Sequence, residues 1–333
     1  MCPRFHPRLV NGPFEDPGLF IPFLFEKRAL MFDLGDIRKL SHRDILKITH
    51  VFVSHTHMDH FIGFDHLLRL LLGRKKELWL YGPDGFLKNL EGKFAAYTWN
   101  LVNSYDHHLI IHATEIRHDC HIRKTYHCAQ KFNAIGPEKI QNVSRIIWEE
   151  PAFKIKTAIL DHDTPCLGFC LKERFHINIK KTGLNKLGLP TGSWLADFKN
   201  ALYNQEKSKQ SFFQLPSHGN ISSKIMSLEE LAKAIAVITA GQKIVYITDT
   251  SYKNVKEIIE LARGADHLFI EAAFLHCHQD IAAKKKHLTA RQAGILASKA
   301  GAKRFTTFHY SPRYTDKGYL LEEEAKQAFI DYA

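Results

Sequence analysis

Apolar and polar positions alternate along this chain in short blocks. "RALMFDLG" (28–35), "ITHVFVS" (48–54) and "ELWLYGP" (77–83) are continuous apolar runs, and the last is stopped by Gly-Pro. That is the pattern of buried strands, and "FIGFDHLLRLLLG" (61–73) reads as the helix after the second of them. From about 108 to 172 the runs are strand-like, including "SRIIWE", "FKIKTAIL" and "LGFCLKE", without long helical periodicity. The segment 176–204 is basic and Gly-rich. "SLEELAKAIAVITAG" then predicts a helix opened by a Ser227/Glu230 capping box. The strand "KIVYIT" (243–248), a helix near 252–262 and the strand "HLFIEAAF" (267–274) follow. A helix over 288–301 ends at Gly301, "RFTTFH" (304–309) is a last strand, and "YLLEEEAKQAFIDY" is a closing helix. A β-rich first part and an α/β second part, with no Pro/Ser linker, predict an α/β fold. It is one sandwich domain over 1–333, sheets inside and helices outside.

Composition narrows this little, with 45% hydrophobic and 24% charged residues over 333 positions. That is globular, not disordered, and the longest apolar runs are too short to cross a bilayer. "MCPRFHPRLVNGPFEDPG" has no apolar region of the signal-peptide kind. The six scattered cysteines read as reduced thiols of a cytoplasmic protein. Cys120 and Cys128, in a His-rich stretch over 106–128, are metal-capable residue types, but their spacing fits no zinc-finger pattern. Charge says more: 46 Lys and Arg against 35 Asp and Glu give a net charge of +11, which favours a polyanionic partner.

The chemistry concentrates in "VFVSHTHMDHFIGFDHLL" (51–68). His55 and His57 leave the end of a strand two residues apart, and Asp59 and His60 follow on the turn into a helix. Zinc and similar ions take imidazole nitrogen and carboxylate oxygen, and a strand-to-helix turn can aim several such groups at one point. Four candidate ligands in six residues suit a two-metal site. His66, a turn or two into the helix, reads as a structural residue.

His55-Thr56-His57-Met58-Asp59-His60 resembles the signature of the metallo-β-lactamase superfamily. The resemblance implies an αββα sandwich with further ligands at later strand ends. "AILDHDTPCLGFCL" supplies His162, "KIVYITDTS" supplies Asp249 and "RFTTFHYSPRY" supplies His309, in family order. Within the superfamily the chain resembles ribonuclease Z, the tRNA 3′-processing endonuclease, from about residue 28 to 315. "IEAAF" (270–274) looks like that family's Glu-Ala-Thr segment with Ala273 for threonine, and His287 in "KHLTARQAGILASKAGAKRFTTFHYSPRY" holds the place of its helper histidine. The stretch 176–204 sits where the family inserts its exosite arm, keeping "LGLP" and Gly192. Its Lys180, Lys181, Lys186 and Lys199 would meet phosphates. At the front the chain departs from the family: "MFDLGDIRKL" keeps Asp33 and Gly35 without the Glu-Gly-Thr-Gln continuation.

What the resemblance implies is a phosphodiesterase with two zinc ions, manganese or iron being accepted by the same ligand types. His55, His57 and His162 would hold the first ion and Asp59, His60 and His309 the second, with Asp249 bridging. A hydroxide shared by the metals would attack, Asp59 would orient or deprotonate it, and His287 would help protonate the leaving oxygen. The expected substrate is pre-tRNA, cut at its 3′ trailer by a cytoplasmic homodimer. The alternative, favoured by the front departure, is a hydrolase of small phosphodiesters or cyclic nucleotides. A non-catalytic scaffold fits less well, because no ligand residue is missing.

Overall fold

The computed structural model of the chain describes residues 4–24, 26–141, 144–204, 212–215 and 225–333. Cys2 lies outside the described residues. The chain divides into two compact units: the smaller holds 148–155 and 171–242 with the first four residues, and the larger holds 5–147, 156–170 and 243–333.

In the larger unit, an eight-stranded sheet runs in chain order from Arg8–Leu9 to Ala134–Ile140. Its centre is parallel: Ala29–Phe32, Ile48–Phe52, Lys76–Gly82 and Leu109–Ile116 lie side by side, and the flanking pairs are antiparallel. The apolar runs that predict strands form this parallel centre, as expected for strands covered on both faces. Helices Phe64–Leu71 and Phe86–Ala95 cover one face through Leu67, Leu68, Leu71, Phe86 and Leu90. A second sheet places Phe305–Phe308, His267–Glu271 and Lys243–Ile247 in parallel, followed by 165–170 and 156–161. Helices Val255–Ala262, Ala290–Lys299 and Gly318–Asp331 pack on its outer face around Ile258, Leu296 and Leu321. Between the sheets, Phe32 lies 5.3 Å from Phe169 and 5.9 Å from Tyr246, ring to ring. Leu167 N donates across to Ser54 O at 2.9 Å. The layers are therefore helix, sheet, sheet, helix, the sandwich expected from the sequence.

One predicted helix in this unit is broken. The run 61–73 forms a turn, Met58–Phe61, and then the helix Phe64–Leu71. The break falls at Gly63, where an added Cβ would stand 2.1 Å from Gly35 O. Glycine is needed there so that the turn after Phe32 can press against the turn carrying Asp59 and His60.

In the smaller unit, Phe175–Ile179 pairs antiparallel with Ala236–Ala240, accompanied by helices Lys181–Lys186, Trp194–Asn204 and Leu228–Ile235. The basic stretch 176–204 is thus a strand followed by two helices. The helix predicted over "SLEELAKAIAVITAG" ends early: "LEELAKAI" is helical and "AVITA" is a strand. Three consecutive β-branched residues, Val237, Ile238 and Thr239, lose χ1 freedom in a helix and pair better in a sheet. Ser227 caps the helix as expected, its hydroxyl accepting from Glu230 N.

Candidate metal centre

The residues of "HTHMDH" leave the sheet together. After the strand Ile48–Phe52 the chain passes Ser54 to His55, which is buried, then His57 at the start of the turn Met58–Phe61, then Asp59 and buried His60. The His55 ring stands 4.4 Å from His57 and 4.2 Å from His60. The later candidates arrive singly, each just past a strand: His162 after Phe153–Asp161, Asp249 two residues beyond Lys243–Ile247, His309 directly after Phe305–Phe308. All belong to the larger unit.

Asp249 is the meeting point. Its Oδ2 lies 3.4 Å from His162 Nε2, 3.5 Å from His60 Nε2 and 3.8 Å from His55 Nε2, while its Oδ1 lies 2.9 Å from His309 Nδ1. Asp59 Oδ2 is 3.2 Å from His309 Nε2 and 3.4 Å from His60 Nε2. One ligand atom from each of His55, His57, His162 and Asp249 falls in a cluster no wider than 4.8 Å, and Asp59, His60 and His309 form a second. Ligand atoms set tetrahedrally at zinc-type distances would be about 3.4 Å apart, so several of these separations suit an ion between them. Among the described residues, the buried Nε2 atoms of His55 and His60 have no hydrogen-bond partner. Leaving such atoms unpaired is costly unless a ligand takes them. The donor set fits a divalent cation.

The protonation pattern shows the same demand for positive charge. Burial, with the charge of His60 beside it, pushes His55 down to about 2, and burial and His162 lower His57. His309 goes the other way: burial opposes its proton, but Asp249 and Asp59 raise it to about 10. Burial likewise opposes charge on His60, yet Asp249 and Asp33 hold it well above the usual histidine range. Asp59 and Asp249 stay well below the carboxylate range despite burial, because His309 and His60 face them. The directions at His60, His309 and the two carboxylates all favour positive charge facing the carboxylates, which is the charge a divalent ion would supply there.

A second layer fixes these ligands. Asp33 Oδ2 accepts from His60 Nδ1 at 2.9 Å, Ser54 Oγ at 2.8 Å and Tyr246 OH at 2.9 Å, and its Oδ1 accepts from Ser54 N at 2.6 Å. This leaves His60 Nε2 free for the centre. His162 Nδ1 donates to Lys286 O at 2.8 Å, freeing its Nε2 in the same way. His287 Nδ1 donates to Glu271 Oε2 at 2.9 Å. Glu271 Oε1 accepts from Thr250 N and Leu288 N, so this carboxylate is committed to holding His287 although it also lies near Asp249 and His309. Glu271 raises the His287 imidazole against the opposing effect of burial. The N-terminal loop ties the halves together. Pro13 O accepts from Tyr310 N beside His309, Pro17 O accepts from Gly35 N, and Asn11 Nδ2 donates to both Asp16 O and Asp36 O.

The structure brings together His55, His57, Asp59, His60, His162, Asp249 and His309, with the His287 ring 4.9 Å from His162 and 5.5 Å from His309. His66 stays outside, its ring 6.3 Å from His42. Cys120 and Cys128 flank the strand His121–His127, whose length holds them roughly 25 Å apart, so one ion cannot take both. The four lysines lie in the smaller unit: Lys181 and Lys186 are exposed on one helix, Lys199 is on the next, and Lys180 Nζ donates to Lys233 O at 3.3 Å. Sequence reading gave no role to Glu271, Tyr246 or the loop 11–18. Glu271 carried a usable signal, a carboxylate closing the apolar run "HLFIE", because a buried charge must have partners.

A family model for the beta-lactamase superfamily domain matches residues 212–310. Ribonuclease Z of Deinococcus radiodurans is 26% identical over 318 residues, covering 91% of this chain and 88% of that protein. Ribonuclease Z of Pyrococcus horikoshii is 28% identical over 304 residues, 87% of this chain and 79% of that one. Of solved structures, the metallo-beta-lactamase fold protein YhfI of Bacillus subtilis aligns with a TM-score of 0.55 at 16% identity, covering 97% of this chain and 93% of its own. The short form of human tRNase Z aligns at 0.50 and 17% identity, covering 93% of each. The chain thus has a fold of the metallo-β-lactamase class, with a His/Asp cluster able to hold a divalent metal at its strand ends. Within that class it is ribonuclease Z-like over most of its length.

Proposed function

We propose that this protein is a metal-dependent endoribonuclease of the ribonuclease Z type, removing the 3′ trailer of pre-tRNA. The observation that carries the reading is the shared carboxylate: Asp249 faces His55 and His162 of one ligand set and His60 and His309 of the other. His55, His57 and His162 would hold one ion, Asp59, His60 and His309 a second, with Asp249 between, and zinc is the ion we assign to both. When bound, such a pair supplies a water of lowered pKa and neutralises charge on a phosphoryl group. Asp59, whose side chain is less buried than those of His60, Asp249 and His309 and is restrained by His309 and His60, would orient a water there and accept its proton. His287, where Glu271 favours the proton against burial, stands beside both sets to stabilise charge and deliver a proton to the leaving 3′ oxygen. Lys180, Lys181, Lys186 and Lys199 supply phosphate contacts that position RNA without reading sequence. In the homodimer that the resemblance implies, this arm serves the other subunit.

Cys120, Cys128, Cys166 and Cys277 are free thiols, which suits a cytoplasmic setting. No described helix is long and apolar enough to cross a membrane. The test compares a 3′-extended pre-tRNA with bis(p-nitrophenyl) phosphate and maps the RNA ends. A single cut leaving a 3′ hydroxyl is expected; hydrolysis of the small ester alone would favour the small-phosphodiester reading instead.

A further inference from the structure

A cavity of about 290 Å³ lies beside His287, the residue assigned above to the leaving oxygen. Tyr252, Lys253, Lys286, Gln292 and Ser251 form its wall with the His287 ring. Most of these polar groups are already engaged. Ser251 Oγ donates to Asp161 Oδ2 at 3.2 Å, Lys286 Nζ is 3.3 Å from Asp163 Oδ1, and Gln292 Oε1 accepts from Thr289 N. Lys253 is exposed and pairs with no carboxylate among the described residues, and Tyr252 beside it is half-buried. The wall therefore offers an aromatic ring, an uncommitted cation and a proton donor around a space at the small end of ligand pockets, which start at about 300 Å³. An aromatic face with an adjoining cation is how single-stranded nucleic acid is held without sequence preference.

We propose that this cavity seats the nucleoside whose 3′ oxygen leaves, its base on Tyr252 and its 5′ phosphate on Lys253. The proposal rests on the RNA-cleaving reading and adds to it a seat for one nucleotide. With the base on Tyr252, the ribose 3′ oxygen is presented to His287. Base stacking of this kind is worth about 5- to 100-fold in binding, and because any base has a π-face the seat tolerates all four.

The experiment measures kcat/KM on a 3′-extended RNA and on the same RNA with an abasic residue immediately 5′ of the cut. Wild type is expected to lose about 5- to 100-fold on the abasic substrate, Tyr252→Phe to lose as much, and Tyr252→Ala to be nearly indifferent to the base. Lys253→Gln, at an exposed position, is expected to raise KM severalfold and to flatten the salt dependence by about one phosphate contact, with kcat kept. Equal cutting of both RNAs by wild type would overturn the seat while leaving the endonuclease reading intact. So would an abasic penalty of the same size in wild type and Tyr252→Ala. Failure of wild type to cut the parent RNA would overturn the endonuclease reading and take the seat with it.

Discussion

The two halves of the centre are built differently. His55, His57, Asp59 and His60 come from one six-residue turn, whereas His162, Asp249, His287 and His309 each come from a different strand end or loop, up to 147 positions apart in the chain. The first half is made by local geometry: a strand ends, the chain turns, and the side chains converge. The second half exists only because the second sheet is assembled in the right order, Phe305–Phe308 beside His267–Glu271 beside Lys243–Ile247. Asp249 joins them most fully, facing two imidazoles of each half at 2.9 to 3.8 Å, while Asp59 faces one of each, His60 and His309. A local motif can thus specify ligands, but a bridging group requires the fold.

The comparison can be broken most severely at the joint. Asp249→Ala removes the carboxylate that faces four imidazoles. Activity should fall to background and bound metal with it, measured by elemental analysis of purified protein; retained metal would show that the halves do not depend on Asp249. His287→Ala tests the scattered half away from the ligands. A turnover loss of about 10²- to 10⁴-fold is expected with metal content unchanged, and equal loss of metal and activity would remove His287 from proton transfer. Asp33→Ala tests the support under the contiguous half, since it deletes the acceptor for His60 Nδ1, Ser54 and Tyr246. Metal affinity read by chelator competition should weaken about 10- to 100-fold. The smallest effect belongs to Tyr246→Phe, which removes one donor to Asp33 and should lower unfolding free energy by about 0.5–1.5 kcal/mol in a denaturant titration.

The same contrast explains how much could be read from the chain. The contiguous half was legible because spacing alone, His-x-His-x-Asp-His after an apolar run, carries it. The scattered ligands were legible only through family order, since a lone His162 or Asp249 at a strand end carries no signal of its own. Packing decisions were not legible. The break at Gly63 depends on Gly35 O from a distant turn, and the switch from helix to strand at Ala236 depends on pairing with Phe175–Ile179. Nor could pattern show that the N-terminal loop 11–18 clasps the turns carrying Asp36 and Tyr310, because those contacts combine backbone carbonyls with Asn11, the Asp16 carboxylate and the Phe14 ring, none of which carries a signal of its own.

The most direct test is metal stoichiometry at equilibrium with free zinc, in wild type and in two variants chosen from the separate ligand sets, His162→Ala and Asp59→Ala. Two ions per wild-type chain are expected, with one retained in each variant. A single ion in wild type, or loss of the same ion in both variants, would contradict a centre made of two sets joined through Asp249.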